Sequence, residues 1–166
     1  LGSQRMLPDP AQGQQGALYL LENDELLATI RLTDSIKEDA AETVAYLKKH
    51  GREPVLLSGD QNGKVAEVAR IVGIEEYYGE QLPEQKLQRI EAYAKAEPTA
   101  MVGDGINDAP ALAKATVGVS LSNASQVAIQ SAQIVLLNGK LEYLQRAFGI
   151  SEHTVLTIKQ NLFWAF

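Results

Sequence analysis

Short apolar runs that alternate with helix-patterned segments constrain this chain more than any other feature. Val55-Leu56-Leu57 is too short for a helix and wholly apolar, as a parallel strand buried on both faces would be. A helical pattern follows over residues 63–72, then a short run at Glu76–Tyr78, and Pro83 opens a helix that runs to Ala96. The spacing next predicts a strand at 99–102, a helix from near Asn107, a strand at 117–120, a short helix at 124–130 and a strand at 133–137. A long helix should run from about Leu141 to the end. Upstream, apolar runs at 17–21 and 26–32 flank Glu22-Asn23-Asp24-Glu25 as a hairpin would, and residues 1–16 read as a Gln-, Gly- and Pro-rich linker. Ser35 is placed to N-cap a helix whose apolar face is Ile36, Ala40, Val44 and Leu47 and which Gly51 ends. Strands alternating with helices mean an α/β fold with a mainly parallel sheet and helices on both faces. In such sheets ligands bind at the carboxyl ends of strands, so the informative loops follow Leu57 and Val102.

Composition narrows the chemistry those loops can carry. The 166 residues hold 15 Lys and Arg against 21 Asp and Glu, a net charge of −6 that argues against a general nucleic-acid binder. With no Cys there are no disulfides, thiolate metal sites or Cys nucleophiles, and two His are too few for a His-built metal centre. A metal here should be a hard cation on oxygen ligands. No apolar run approaches the ~18 residues that a membrane span needs. The start at Leu1 and the apolar, aromatic stretch Leu162-Phe163-Trp164-Ala165-Phe166 suggest a piece of something longer, with Trp164 and Phe166 suited to a membrane interface.

The second loop reads Met101-Val102-Gly103-Asp104-Gly105-Ile106-Asn107-Asp108-Ala109-Pro110. Two carboxylates, Asp104 and Asp108, leave a strand end together with two glycines that allow close backbone approach to a ligand. Clustered carboxylates need a neutralising cation, and Mg2+ fits, since it takes one or two carboxylates, waters and a phosphate. Asn107 or Asp108 could also cap the helix that starts there. In the first loop, Ser58 and Gly59 can offer a hydroxyl and a backbone N–H to a phosphate oxygen, although Ser58-Gly59-Asp60 also suits a simple hydroxyl-capped turn. In Pro83-Glu84-Gln85-Lys86, the lysine could neutralise a phosphoryl group or lie in solvent.

Taken in order, Ser58-Gly59-Asp60, then Pro83-x-x-Lys86, then Gly103-Asp104-Gly105-x-Asn107-Asp108 resemble three motifs of the haloacid-dehalogenase-like phosphotransferases. The longer string from Val102 to Ala113 narrows the resemblance to P-type cation-transporting ATPases, and the tail Ile158-Lys159-Gln160-Asn161-Leu162-Phe163-Trp164-Ala165 resembles their heavy-metal branch, copper transporters especially. Thr33-Asp34-Ser35-Ile36-Lys37 is similar to that family's hinge segment. Ser58 stands where Thr is usual, and Thr116 and Gln133 stand where Asp is usual.

The resemblance implies a Rossmann-like, haloacid-dehalogenase-type parallel sheet and an ATP-driven pump that works through an aspartyl phosphate. Its implied cofactor is Mg2+, on Asp104 and Asp108, and its substrate ATP. Ser58 and Gly59 would hold the transferred phosphoryl, Lys86 would offset its charge, Asp60 would order its loop, and Asn107 with Asp108 would position the metal's surroundings. Asp34 and Lys37 would lie near the hinge and the nucleotide phosphates. The implied layout is a nucleotide-domain remnant with a hairpin over 1–32, the phosphorylation domain over 33–150, and a helix over 151–166 leading to a membrane segment. The implied location is the cytoplasmic side of a bacterial plasma membrane, and the implied partners are the remaining nucleotide, actuator and membrane domains of the same polypeptide. The family's Asp-Lys-Thr-Gly-Thr string occurs nowhere in these residues, so the phosphorylated Asp is expected upstream of Leu1. Its strand lies centrally in this fold, so the strands ending at Ser58 and Gly103 are expected either to leave a gap between them or to pair with something else. The alternatives are a soluble phosphatase of the same superfamily and a non-catalytic module that binds Mg2+ or phosphate.

Overall fold

The computed structural model describes residues 17–22, 25–31 and 35–165. The chain divides into two compact units, 1–36 and 37–166. In the first, β1 (Ala17–Glu22) pairs antiparallel with β2 (Glu25–Arg31), with a register shift between Leu20 and Leu21. Tyr19 is buried there with Leu21 packed on it. The expected linker over 1–16, Asn23 and Asp24 of the expected turn, the hinge residues Thr33 and Asp34, and Phe166 lie outside the described residues.

The second unit runs α1 (Ala40–Lys49), β3 (Val55–Leu57), α2 (Asn62–Val72), β4 (Glu76–Tyr78), α3 (Pro83–Ala96) and β5 (Ala100–Gly103). It continues with a 3-10 turn (Ile106–Asp108), α4 (Ala109–Lys114), β6 (Val117–Leu121), α5 (Gln126–Ser131), β7 (Ile134–Leu136) and α6 (Glu142–Ala165). The expected alternation is therefore present. Three helix starts differ from expectation, α5 by two residues because Ser125 caps it, its hydroxyl accepting the Ala128 N–H. The first helix begins at Ala40 rather than just after Ser35: a turn in which the Ala40 N–H donates to the Lys37 carbonyl at 3.0 Å precedes it, and the Asp39 carboxylate, rather than capping this helix, accepts the N–H of Glu142 at 2.9 Å, a partner 103 residues away. The segment at Asn107 is a single tight turn before α4 begins, since the Asp108 side chain folds back onto Gly105.

All ladders in this unit are parallel. β5, β6 and β7 form one sheet in that order, and β3 pairs with β4 in another. Among the described residues no ladder joins β3 to β5, in keeping with the gap expected beside them. This also explains why β3 is only half-buried along its length rather than covered on both faces: among the described residues it has one strand neighbour. β6, flanked on both sides, is buried from Gly118 to Leu121.

The period-two alternation of strands sorts the core onto two faces. Met101 joins Ile90, Ala111, Leu112, Ala115 and Ala128 under α3, α4 and α5, with Leu57 of β3 packed against them. Val119, Leu121 and Leu136 join Leu144 of α6 on the other face, with Leu47 of α1 and Val102 alongside. Each fully buried Leu or Val contributes about 1.5–3 kcal/mol. At the crossing of β6 and α4 only glycine fits: a Cβ on Gly118 would lie 2.5 Å from the Leu112 carbonyl oxygen. The Gln133 side-chain oxygen accepts the Gly118 N–H there at 2.5 Å. The far half of α6 is exposed, including Phe163 and Trp164, which meet edge to face at 5.5 Å. Among the described residues no helix is long and apolar enough to cross a membrane.

Candidate active site

The loops after β3 and β5 both stand at the carboxyl ends of parallel strands, and both are tied to α3. Lys86 sits in the first turn of α3, which Pro83 opens; the Leu82 N–H donates to the Gln85 side chain at 2.9 Å. Its ammonium donates to Asp108 Oδ1 at 2.8 Å, and the two side chains are only 12% and 13% exposed. The other oxygen, Asp108 Oδ2, accepts the Gly105 N–H at 3.3 Å. Asp108 thus closes the Gly103-Asp104-Gly105 loop from below. A Cβ on Gly103 would lie 2.9 Å from the Asp108 Cβ, and one on Gly105 would lie 3.2 Å from its Oδ2. The glycines are there because a carboxylate fills the space that side chains would occupy.

This packing turns Asp104 outward. Its side chain is exposed, while its carbonyl accepts the N–H of Ser125, the residue that caps α5 through its own hydroxyl. Asn107 is exposed beside it. The donor set suits one hard cation: an exposed carboxylate on a loop whose Asp104 carbonyl is held by the Ser125 N–H, the remaining coordination positions falling to waters and a phosphate. Asp108 already has a cation, Lys86, within contact distance. Among the described residues no cluster of three or more carboxylate or imidazole groups exists.

The loop after β3 is held differently. The Ser58 N–H donates to the Tyr78 carbonyl, and its own carbonyl accepts from the Gln81 N–H, both at 2.9 Å. Its hydroxyl oxygen accepts the Asp60 N–H at 3.1 Å, which makes the turn while leaving the hydroxyl proton available to another acceptor. Gly59 and Asp60 are exposed. The Asp60 carboxylate faces Lys64 at 3.6 Å across solvent; what orders the loop at Asp60 is its carbonyl, which accepts the Glu80 N–H at 2.7 Å. Asn62 adds a bridge: its Nδ2 donates to Glu80 Oε2 at 2.5 Å and its Oδ1 accepts the Gly79 N–H at 3.2 Å. Glu80 is held at φ +54°, which a non-glycine residue adopts only under constraint.

β4 is stapled to α3 by Glu76, whose Oε1 accepts the hydroxyls of Tyr93 and, at 2.8 Å, Tyr78. Those donors, Tyr93 first, hold the Glu76 carboxyl below its ordinary range. Burial, reinforced by the bond to Glu76, pushes the Tyr93 phenol above its own. The Lys37 ammonium donates to the Gly139 carbonyl at 2.9 Å, beyond the end of β7. The structure therefore joins Lys86, Asp108 and Gly105 directly, and Ser58, Gly59 and Asp60 in one turn. The sequence reading missed Gln81, Asn62, Glu80 and Tyr93; only the Glu-Tyr-Tyr of β4 beside a Tyr-bearing helix hinted at any of them.

Residues 2–116 match a family model described as haloacid dehalogenase-like hydrolase. The chain is 39% identical over 153 residues to a copper-exporting P-type ATPase of Staphylococcus epidermidis, covering 92% of this chain and 19% of that protein. It is likewise 39% identical over 150 residues to copper-transporting ATPase 2 of Rhizobium meliloti, covering 90% of this chain and 18% of the relative. Among solved structures it resembles a zinc-transporting PIB-type ATPase in the E2.Pi state, with a TM-score of 0.76 and 33% identity, over 88% of this chain and 24% of that one. The chain thus spans about a fifth of the length of the curated relatives it matches.

Proposed function

Because the chain belongs to the haloacid dehalogenase-like hydrolase family, we propose that it supplies the Mg2+ and phosphoryl loops of a heavy-metal P-type ATPase, with copper the favoured cargo. One observation carries this reading: a nearly buried Lys86–Asp108 pair under a Gly-Asp-Gly turn that presents Asp104 at the end of a parallel strand. Phosphoryl transfer asks little covalent chemistry of a protein and much positioning and charge neutralisation, and this arrangement offers both. The copper-pump relatives support the cargo, and the zinc-pump structure keeps the wider heavy-metal class in view.

In this reading a carboxylate from a segment outside these residues attacks the γ-phosphorus of ATP, and ADP leaves; water later hydrolyses the acyl phosphate. That segment occupies the open edge between β3 and β5. Mg2+, when bound, offsets the phosphoryl charge. Asp104 offers it a direct carboxylate; Asp108, already engaged with Lys86 and Gly105, stands beside it and keeps the loop in shape. Ser58 and Gly59 donate hydroxyl and backbone hydrogens to phosphoryl oxygens, and Lys86 lies where it can share its charge between Asp108 and the phosphoryl group. Asn107 helps to position these groups. Asp34 and Lys37 belong to the hinge side, toward the nucleotide. The layout proposed is 1–32 as the tail of the nucleotide domain with its hairpin, 33–150 as phosphorylation domain, and 151–166 as the helix toward a membrane segment. The assembled protein would face the cytoplasm from a bacterial plasma membrane.

The test is acid-stable, hydroxylamine-labile labelling of the whole gene product by radiolabelled ATP. The expected result is labelling that depends on Mg2+, rises with copper and disappears in Asp104→Ala. Steady phosphatase turnover by the 166-residue chain alone, or a gene without an Asp-Lys-Thr-Gly-Thr string upstream, would contradict it.

A further inference from the structure

Helix α3 carries a second cation, Arg89, three residues after Lys86 and so on the same face. Its guanidinium lies over the Tyr78 ring, 3.5 Å from the centroid, and its Nε donates to Gln81 Oε1 at 2.9 Å. The other end of the Gln81 side chain donates to the Gly79 carbonyl at 2.9 Å. Tyr78 and Gln81 are the two residues that hold the backbone of Ser58, one by its carbonyl and one by its N–H. The Gln81 carbonyl oxygen is also the nearest atom to the Cβ direction of Gly59, at 3.5 Å. One side chain therefore grips both residues that fix Ser58, and it sits one turn from the lysine that fixes Asp108.

We propose that Arg89 is a positioning residue for the phosphoryl loop. By clamping Tyr78 and Gln81 to α3 it sets Ser58 and Gly59 at a fixed offset from the Gly103-Asp104-Gly105 loop that Lys86 holds. Arg89 touches no reacting group; it acts through Gln81 and Tyr78. An arginine suits this task because its planar head stacks on an aromatic face while its Nε–H keeps a fixed direction. The proposal rests on Ser58 and Gly59 being the phosphoryl loop.

Inorganic phosphate is titrated with Mg2+ into the 15N-labelled 166-residue chain, and the Gly59 amide shift and Gln81 amide hydrogen exchange are followed. Arg89→Met keeps the bulk of the side chain. It should weaken phosphate binding about five-fold, the worth of one net hydrogen bond, and should speed Gln81 exchange by a similar factor. Arg89→Lys, which keeps a donor and a cation over the ring, should recover part of both. The loss in Arg89→Met should persist at raised salt, where a long-range charge effect fades. Unchanged phosphate affinity and Gln81 exchange in Arg89→Met would overturn the proposal, as would a loss that vanishes with salt. If phosphate leaves Gly59 unshifted in the unsubstituted chain, the reading of this loop as a phosphoryl site fails, and Gln81 exchange still decides whether Arg89 clamps it.

Discussion

The loop after β5 and the loop after β3 stand side by side in function but are built from different materials. The first is closed by a charge pair: Lys86 and Asp108 meet at 2.8 Å with little solvent around either. The second is closed by backbone: Tyr78, Glu80 and Gln81 zip onto Ser58 and Asp60, with side-chain bridges at its exposed rim. The difference follows from what each must present. A loop that offers a carboxylate to a cation needs its other carboxylate neutralised, or both would repel the incoming phosphate. A loop that offers N–H and O–H donors needs only its backbone direction fixed. A buried ion pair gives specificity of position rather than much net stability, and removing one partner is costly because the other is left buried and unpaired.

The largest expected effect comes from breaking that pair. Lys86→Met leaves the Asp108 carboxylate with the Gly105 N–H alone and should cost about 3 kcal/mol in urea unfolding. A loss below about 1 kcal/mol, the size of an exposed pair, would mean that solvent already screens this one. A smaller contrast separates the two loops by their glycines. Gly103→Ala puts a Cβ 2.9 Å from that of Asp108 and should cost about 1–3 kcal/mol by overpacking. Gly59→Ala meets nothing closer than 3.5 Å and should stay within about 0.5 kcal/mol. Equal costs at the two positions would show that the side-chain-filled loop is no tighter than the backbone-zipped one.

The sequence made some of this legible and hid the rest for physical reasons. β4 at Glu76–Tyr78 and α3 at Pro83–Ala96 have the boundaries expected, because a proline start and a short β-type run are local signals. At the start of α1 the Asp39 carboxylate serves the first turn of α6 instead of capping its own helix, and nothing near Ser35 reveals that partner. At the site, Lys86, Asp104 and Asp108 stood out as charges in a recognisable order, but their order does not say that Lys86 and Asp108 hold each other. Gln81, Asn62 and Arg89 carry no such mark, since an amide or an arginine beside a helix start is ordinary on any surface. Their role depends on the strained turn at Glu80, which only the backbone shows. The half-burial of β3 likewise depends on which strand lies beside it and not on its own three apolar residues.

A magnesium titration of the 15N-labelled chain tests the central claim most directly, because it asks whether the β5 loop presents one open carboxylate above one neutralised one. The account predicts weak binding that shifts the amides of Gly103, Asp104 and Gly105, is lost in Asp104→Ala and survives in Asp60→Ala. Shifts centred on Asp60, or binding that is unchanged when Asp104 is replaced, would contradict it.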